Sequence, residues 1–233
     1  MNDRKLVLVF DLDDTLYDET TYVKSGFKAV ASLLQQRFEL SEKKTYTDLV
    51  RELENGRGHI FDSVLNKYSI FSKKLLHECI TVYRFHAPEI KLSNSGKNCL
   101  KRFKNYPLYI VTDGNKIVQY NKIKALGLDK IVKDYFITHR FGKIHSKPSP
   151  YCFNKISERE KVLSSQVVYI GDNVTKDFVG IKPLGFKTIQ VLTGQYTDIK
   201  RSQEYQADIK INSLDDLTED FVLKFFNKEN KSK

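Results

Sequence analysis

The sequence predicts an α/β fold: a three-layer, doubly wound, mostly parallel Rossmann-like sheet with an α-helical domain inserted after its first strand. Three observations predict it. Short continuous apolar runs recur along the chain, rich in β-branched residues and each ending abruptly in polar or Gly residues, as strands buried on both faces do. Helical patterns lie between most of these runs, and that alternation is the signature of a parallel sheet covered by helices. One long stretch behind the first run interrupts the alternation with helical patterns alone.

Leu6–Phe10 (LVLVF) is the first strand, and acid follows it at once. In the helical stretch, Thr20–Phe38 carries Val23, Phe27, Val30 and Leu34 on one face, and Ser72–Phe85 carries Leu75, Leu76, Cys79, Ile80, Val82 and Tyr83. Ser41-Glu42 and Ser72-Lys73 are helix starts. The chain is therefore divided into an α/β core, residues 1–17 and 92–233, and a helical insertion, residues 18–91. Beyond it lie a strand at Leu108–Val111 and a helix at Lys116–Leu126, whose apolar face is Ile117, Tyr120, Ile123 and Ala125 or Leu126. A short helix at Tyr151–Ile156 follows a Pro-stiffened loop. Strands at Val167–Ile170, Thr188–Leu192 and Ala207–Ile211 come next, then a helix at Leu214–Phe226, and residues 227–233 read as a polar tail.

The 233 residues include 39 Lys and Arg against 29 Asp and Glu, a net charge of +10, and 40% are hydrophobic. That hydrophobic share is enough to bury a core and excludes disordered and fibrous classes. The charge raises the question of a polyanionic partner. Clustering decides it: Lys43-Lys44, Lys73-Lys74 and Lys200-Arg201 stand apart and no segment is a basic stripe, so nucleic acid is disfavoured. Cys79, Cys99 and Cys152 match no paired zinc spacing and read as small buried hydrophobes of a reducing compartment. With no signal-like leader and no apolar run of about 20 residues, the expectation is a cytoplasmic protein without a membrane partner.

The chemistry falls at the carboxyl ends of the strands, where ligands bind in open α/β sheets. Asp11 and Asp13 follow the first strand, and continued extension would send both the same way. Adjacent carboxylates repel unless a cation or a shared proton compensates, which points to a divalent metal or to acid–base work. Gly171-Asp172-Asn173 with Asp177 follows a second buried run. Carboxylates without nearby His or Cys suit Mg²⁺, although Asp172 or Asn173 also reads as a helix cap. Thr112-Asp113-Gly114-Asn115 reads either as an anion site at a helix N-terminus or as a simple capping turn. Lys147, in Lys-Pro-Ser-Pro, is by itself a surface lysine.

Taken in order, DLDDT, a hydroxyl residue after a later strand, the Lys of KPSP and GDNVTKD resemble the four motifs of the haloacid dehalogenase superfamily, and the helical insertion resembles its inserted cap. The resemblance implies that Asp11 is a nucleophile forming an aspartyl-phosphate and that Asp13 is the general acid and then base. Dehalogenases of the superfamily lack an Asp at the second position, phosphonate-cleaving relatives have Ala there and ion pumps Thr. Asp13 therefore implies phosphate ester hydrolysis or phosphomutation. Mg²⁺ is implied at Asp11, the Asp13 carbonyl and Asp172, with Asp177 as an outer or water-mediated partner. Thr112 and Asp113, together with Lys147, are implied to bind phosphate, and Asn173 to seat Lys147 or the metal. Many relatives have Asn or Gly in place of Asp113, so its carboxylate is expected to point away or cap the helix.

In the insertion, Gly56-Arg57-Gly58-His59 lies where related caps recognise the leaving group, which makes Arg57 and His59 candidate substrate residues, although an ordinary turn explains them equally. Arg140, Lys143 and His145 read as surface residues near the mouth, and Tyr17 and Tyr22 as packing at the junction of core and cap. The implied partner is a small phosphorylated metabolite, such as a sugar phosphate or nucleoside monophosphate, handled by a monomer or homodimer. A phosphomutase, a phosphatase of nucleic-acid ends and a non-catalytic binding module are the alternatives.

Overall fold

The structure, a computed structural model, describes residues 5–227. The expected polar tail lies, beyond Asn227, outside these residues. The described chain forms two compact units: one runs to Glu19 and resumes at Lys91, and the other is Thr20–Ile90.

The first unit is built on six strands, β1 (Val7–Phe10), β2 (Leu108–Thr112), β3 (Asp134–Ile137), β4 (Val167–Gly171), β5 (Lys187–Val191) and β6 (Ile209–Ile211). They form one sheet in the order β3-β2-β1-β4-β5-β6, with every neighbouring pair parallel. Every residue of β1, β2, β4 and β5 is buried, so β1, β2 and β4 are almost wholly apolar without alternation, whereas β5 (KTIQV) also buries Lys187, Thr188 and Gln190. On one face Val7, Val9, Tyr109, Val111, Val167 and Tyr169 pack with Cys152, Phe153 and Ile156 of a covering helix and with Phe178, Ile181 and Phe186. The strand order reverses at β1, between β2 and β4, and Phe10 lies opposite Ile110 and Ile170. Asp11 thus leaves the sheet level with the ends of both neighbours, in the crevice where such folds bind ligands.

Three sequence expectations change here. β3 was not expected: it is an edge strand of four residues, half of them only partly buried, so its apolar signal is weak. The final helix begins at Glu219 rather than Leu214, because Leu214 and Leu217 are buried in the preceding turn and Thr218 accepts the Phe221 N–H as a cap. The helix over Lys116–Ala125 buries only part of the expected face, Ile123 with Leu126 at its end. Tyr120 is exposed, whereas Gln119 and Lys122 are each only 2% exposed beside Ile123.

The second unit contains the body of α1 (Glu19–Phe38), with α2 (Glu42–Glu54), α3 (Ile60–Lys67) and α4 (Lys73–Phe85). Ser41 and Ser72 cap α2 and α4 with their hydroxyls. Val23, Phe27, Val30 and Leu34 of α1 pack with Leu49, Val64, Leu65, Leu75 and Cys79 from the other helices. In the other unit, α5 (Asn94–Arg102) precedes β2, α6 (Lys116–Ala125) follows it, α7 (Tyr151–Glu160) covers the sheet and α8 (Glu219–Asn227) closes the described chain. Among the described residues, no helix is long and apolar enough to cross a membrane. Cys79, Cys99 and Cys152 are buried free thiols.

Candidate active site

At the end of β1 the Asp11 N–H donates to Ile170 O at 2.8 Å, tying the first site residue to β4. The Asp11 carboxylate, 6% exposed as a residue, accepts from Lys147 Nζ at 2.8 Å. Lys147 is itself buried, and its ammonium also meets Asp177 Oδ1 at 2.8 Å and Tyr169 Oη at 2.9 Å. Asp172 follows β4 one residue past the position level with Asp11, and carboxylate oxygens of Asp11, Asp172 and Asp177 lie within 4.8 Å of one another. Asp177 is locked by the Asn173 N–H, 2.9 Å from its Oδ2, and by close packing on Gly171, where a Cβ would collide with that same oxygen. Gly180 is equally constrained: a Cβ there would run into the carbonyl oxygen of Pro148, so this loop packs directly on the segment that carries Lys147.

Three buried carboxylates facing one ammonium leave an excess of negative charge. Burial, reinforced by Asp177 and opposed by Lys147, pushes Asp11 up to about 7. Burial with Asp11 and Asp177 pushes Asp172 up to about 9. Burial would lower Lys147, but Asp11 and Asp177 hold it well above the usual lysine range. A site of hard oxygen donors, without His or Cys and short of positive charge, fits a Mg²⁺ ion.

Asp13 is placed differently. It does not share the partners of Asp11: β1 ends at Phe10, and the chain turns at Asp14, whose φ is 53°. The Asp13 Oδ1 accepts from Tyr17 Oη at 2.5 Å and Lys122 Nζ at 2.7 Å, and its Oδ2 accepts from Gln119 Nε2 at 2.8 Å. Burial would raise this carboxyl, yet Lys122 and the two neutral donors hold it below the ordinary aspartate range.

Thr112, 1% exposed at the end of β2, accepts from Gln119 Nε2 at 2.6 Å. The α6 cap is Asn115, whose Oδ1 accepts the Ile117 N–H at 3.0 Å. Asp113 therefore does not cap α6. Its Oδ1 accepts from the Thr138 hydroxyl at 2.7 Å and the Lys147 N–H at 3.0 Å, and its Oδ2 pairs with Lys176 at 3.0 Å. Burial would raise Asp113, but Lys147 and Lys176 hold it low. The side chain of Asn173 turns to Thr175, whose N–H lies 2.9 Å from Asn173 Oδ1, rather than to Lys147.

Arg57 and His59 lie in the helical unit, where they line a cavity of about 280 Å³ with Phe27, Phe61, Tyr83 and Arg84. His59 has a φ of 62° at the start of α3. Arg140 sits over Tyr120 and Tyr135, and His145 stacks on Tyr151 at 3.9 Å between ring centroids. Tyr22 donates to Tyr83 O at 3.3 Å within the helical unit.

Gln119, Lys122, Tyr169 and Lys176 escaped the sequence reading, and Tyr17, read there only as packing, donates to Asp13. Gln119 and Lys122 have the i, i+3 spacing of one helix face, but polar residues at that spacing read in sequence as a solvated face. Tyr169 looks like any strand aromatic, and only its hydroxyl beside Lys147 separates it from the core.

A parallel sheet with a lysine and three carboxylates at its switch point defines a class: α/β enzymes that handle an anionic group beside a cation. The profile of the haloacid dehalogenase-like hydrolases matches residues 6–185, and the chain belongs to this family of enzymes. It is 29% identical over 225 residues to the glyceraldehyde 3-phosphate phosphatase of Methanocaldococcus jannaschii, covering 91% of this chain and 95% of that protein. The protein of the same description from Pyrococcus furiosus is 27% identical, with 91% of each chain covered. Among solved structures, the putative HAD-hydrolase YfnB of Bacillus subtilis, described as bound to magnesium, superposes with a TM-score of 0.63. That match is 23% identical and covers 92% of this chain and 97% of the other.

Proposed function

We propose that the chain is a Mg²⁺-dependent phosphoric monoester hydrolase that releases phosphate from a small phosphorylated metabolite through an aspartyl-phosphate at Asp11. The observation that carries this reading is the separation of two adjacent carboxylates into different environments. Asp11 lies 2.8 Å from Lys147 in the three-acid cluster, while Asp13 rests on Lys122, Gln119 and Tyr17. Paired carboxylates with unlike surroundings divide the labour of nucleophile and proton carrier.

In the first step an Asp11 oxygen attacks phosphorus and the ester P–O bond breaks, and Asp13, a carboxylate in the resting site, hands to the departing oxygen a proton that it takes up as the ester binds. Lys147 balances the charge of the nucleophile and the phosphoryl group, and Thr112 donates its hydroxyl to a phosphoryl oxygen. In the second step Asp13, now a carboxylate, takes a proton from water. That water attacks phosphorus, freeing Asp11 and inorganic phosphate. Mg²⁺ held by Asp11, Asp172 and the Asp13 carbonyl, with Asp177 in the outer shell, would neutralise phosphoryl charge. Asp113 serves phosphate binding indirectly, by fixing the backbone of Lys147.

Two relatives named glyceraldehyde 3-phosphate phosphatases, each matching 91% of this chain, favour a short phosphorylated aldehyde or sugar as the substrate. In this reading residues 18–91 are the cap and Arg57 with His59 meets the leaving group. The enzyme works in the cytoplasm as a monomer or homodimer with no nucleic-acid partner. The test is phosphate release from a panel of glyceraldehyde 3-phosphate, sugar phosphates and nucleoside monophosphates, with Mg²⁺ and with EDTA. Mg²⁺-dependent turnover that Asp11→Asn abolishes is expected. No turnover across the panel, or wild-type rates in Asp11→Asn, would overturn the proposal.

A further inference from the structure

We infer that Gln119 and Lys122 are positioning residues of the transfer step, Lys122 fixing the carboxyl of Asp13 and Gln119 turning the Thr112 hydroxyl toward the phosphoryl group. The inference rests on the hydrolase reading above and adds roles for a helix face to which neither the family resemblance nor the sequence pattern assigns one.

The starting point is a breach of helix patterning. α6 packs on the sheet, yet two of the three residues it buries most deeply are a Gln and a Lys, each 2% exposed. Burying an amide and an ammonium is costly unless both are fully bonded, so the partners explain the choice. The Lys122 ammonium lies 2.7 Å from Asp13 Oδ1 and 3.3 Å from Glu19 Oε1. It bridges the proposed proton carrier to the first residue of α1, and Tyr17 adds a donor to the same Asp13 oxygen.

Gln119 permits a stricter argument. A carboxylate only accepts, so the group facing Asp13 Oδ2 at 2.8 Å must be the amide nitrogen, and its second N–H is the one aimed at Thr112 Oγ1 at 2.6 Å. Thr112 therefore accepts from Gln119, and its own proton is left to donate elsewhere. That is the orientation a phosphoryl oxygen requires. The turn after Thr112 is moulded on this amide: Gly114, with a φ of +136°, would bring a Cβ to 3.2 Å from the Gln119 side chain. One amide thus couples the phosphate donor to the proton carrier, and Lys122 clamps the other side of that carrier.

The roles separate by leaving group. An alkyl oxygen needs the Asp13 proton as its P–O bond breaks, whereas 4-nitrophenolate leaves without it. For Lys122→Met, the rate of the ester-cleaving step, read as single-turnover release of the alcohol, should fall by about 100-fold or more with glyceraldehyde 3-phosphate and by less than about 5-fold with 4-nitrophenyl phosphate. Lys122→Arg should recover about tenfold of the alkyl rate. For Gln119→Leu, KM for both esters and the inhibition constant of inorganic phosphate should rise together, by about 5–10-fold. Equal losses on both esters in Lys122→Met, or an unchanged alkyl rate, would overturn the assignment while leaving the hydrolase reading intact. A wild-type protein inactive on both esters would instead overturn that reading and this one with it. Should Lys122→Met fail to fold, Tyr17→Phe removes a neutral donor from the same oxygen. It should lower the alkyl rate about 5–10-fold and spare the aryl ester, and no selective loss would refute the assignment.

Discussion

Replacing Asp172 by Asn should make the metal-free protein more stable and at the same time destroy its response to Mg²⁺. Asp172 shares a 4.8 Å cluster with Asp11 and Asp177. At that spacing, with an effective dielectric constant of about 20, each like-charged pair costs about 3 kcal/mol. Lys147 touches Asp11 and Asp177 and offsets about one of the two pairs that Asp172 makes, leaving about 3 kcal/mol uncompensated. For a domain of this size that is roughly 6–12 °C in Tm. The sign follows from linkage. The Asp172 carboxyl is raised from 3.8 to about 9, so the folded protein binds more protons than the unfolded chain between those values, and stability falls as pH rises through that window. The advantage of Asp172→Asn should therefore be absent near pH 3.8 and grow toward pH 9. Thermal unfolding followed by circular dichroism, in EDTA and in excess Mg²⁺ at several pH values, measures it. In Mg²⁺ the order should reverse, because bound cation stabilises only the wild type. A variant that is less stable than wild type in EDTA at every pH would refute the charge argument.

Burial would raise Glu160, but Lys133, Lys5 and Tyr109 hold it at about 2 against an ordinary 4.5. Its contribution, about 2–3 kcal/mol, is fully present above pH 4.5 and lost toward pH 2, so Glu160→Gln should flatten acid unfolding in that range. Gly180→Ala must push Pro148 and with it Lys147, and a stability loss of about 1–3 kcal/mol with reduced kcat is expected from urea titration and phosphate release. Arg57→Ala should raise KM for the physiological ester and leave 4-nitrophenyl phosphate nearly unchanged; equal effects on both would remove Arg57 from leaving-group recognition.

Strands β1, β2 and β4 were legible because complete burial makes their sequences nearly continuous apolar runs, and the acids behind β1 and β4 marked the strand ends of the sheet. The core of the helical unit was legible for a similar reason, since Val23, Phe27, Val30 and Leu34 repeat at the helical period. β3 escaped because an edge strand needs little burial. The start of α8 was misread because Leu214 and Leu217 are apolar without being helical.

What one-dimensional pattern determines is which segments must be hidden from water and which polar residues end up at strand termini. It does not determine which polar groups meet. Asp13 with Lys122 and Gln119 spans more than 100 residues, and Asp113 with the Lys147 backbone spans 34. Such pairings depend on the angle at which α6 lies on the sheet and on the close approach of Gly180 to Pro148. Burial selects for hydrophobicity at each position independently and so leaves a periodic trace. A hydrogen bond between distant segments exists only once packing has set both donors and acceptors in place, and only the tertiary structure decides it.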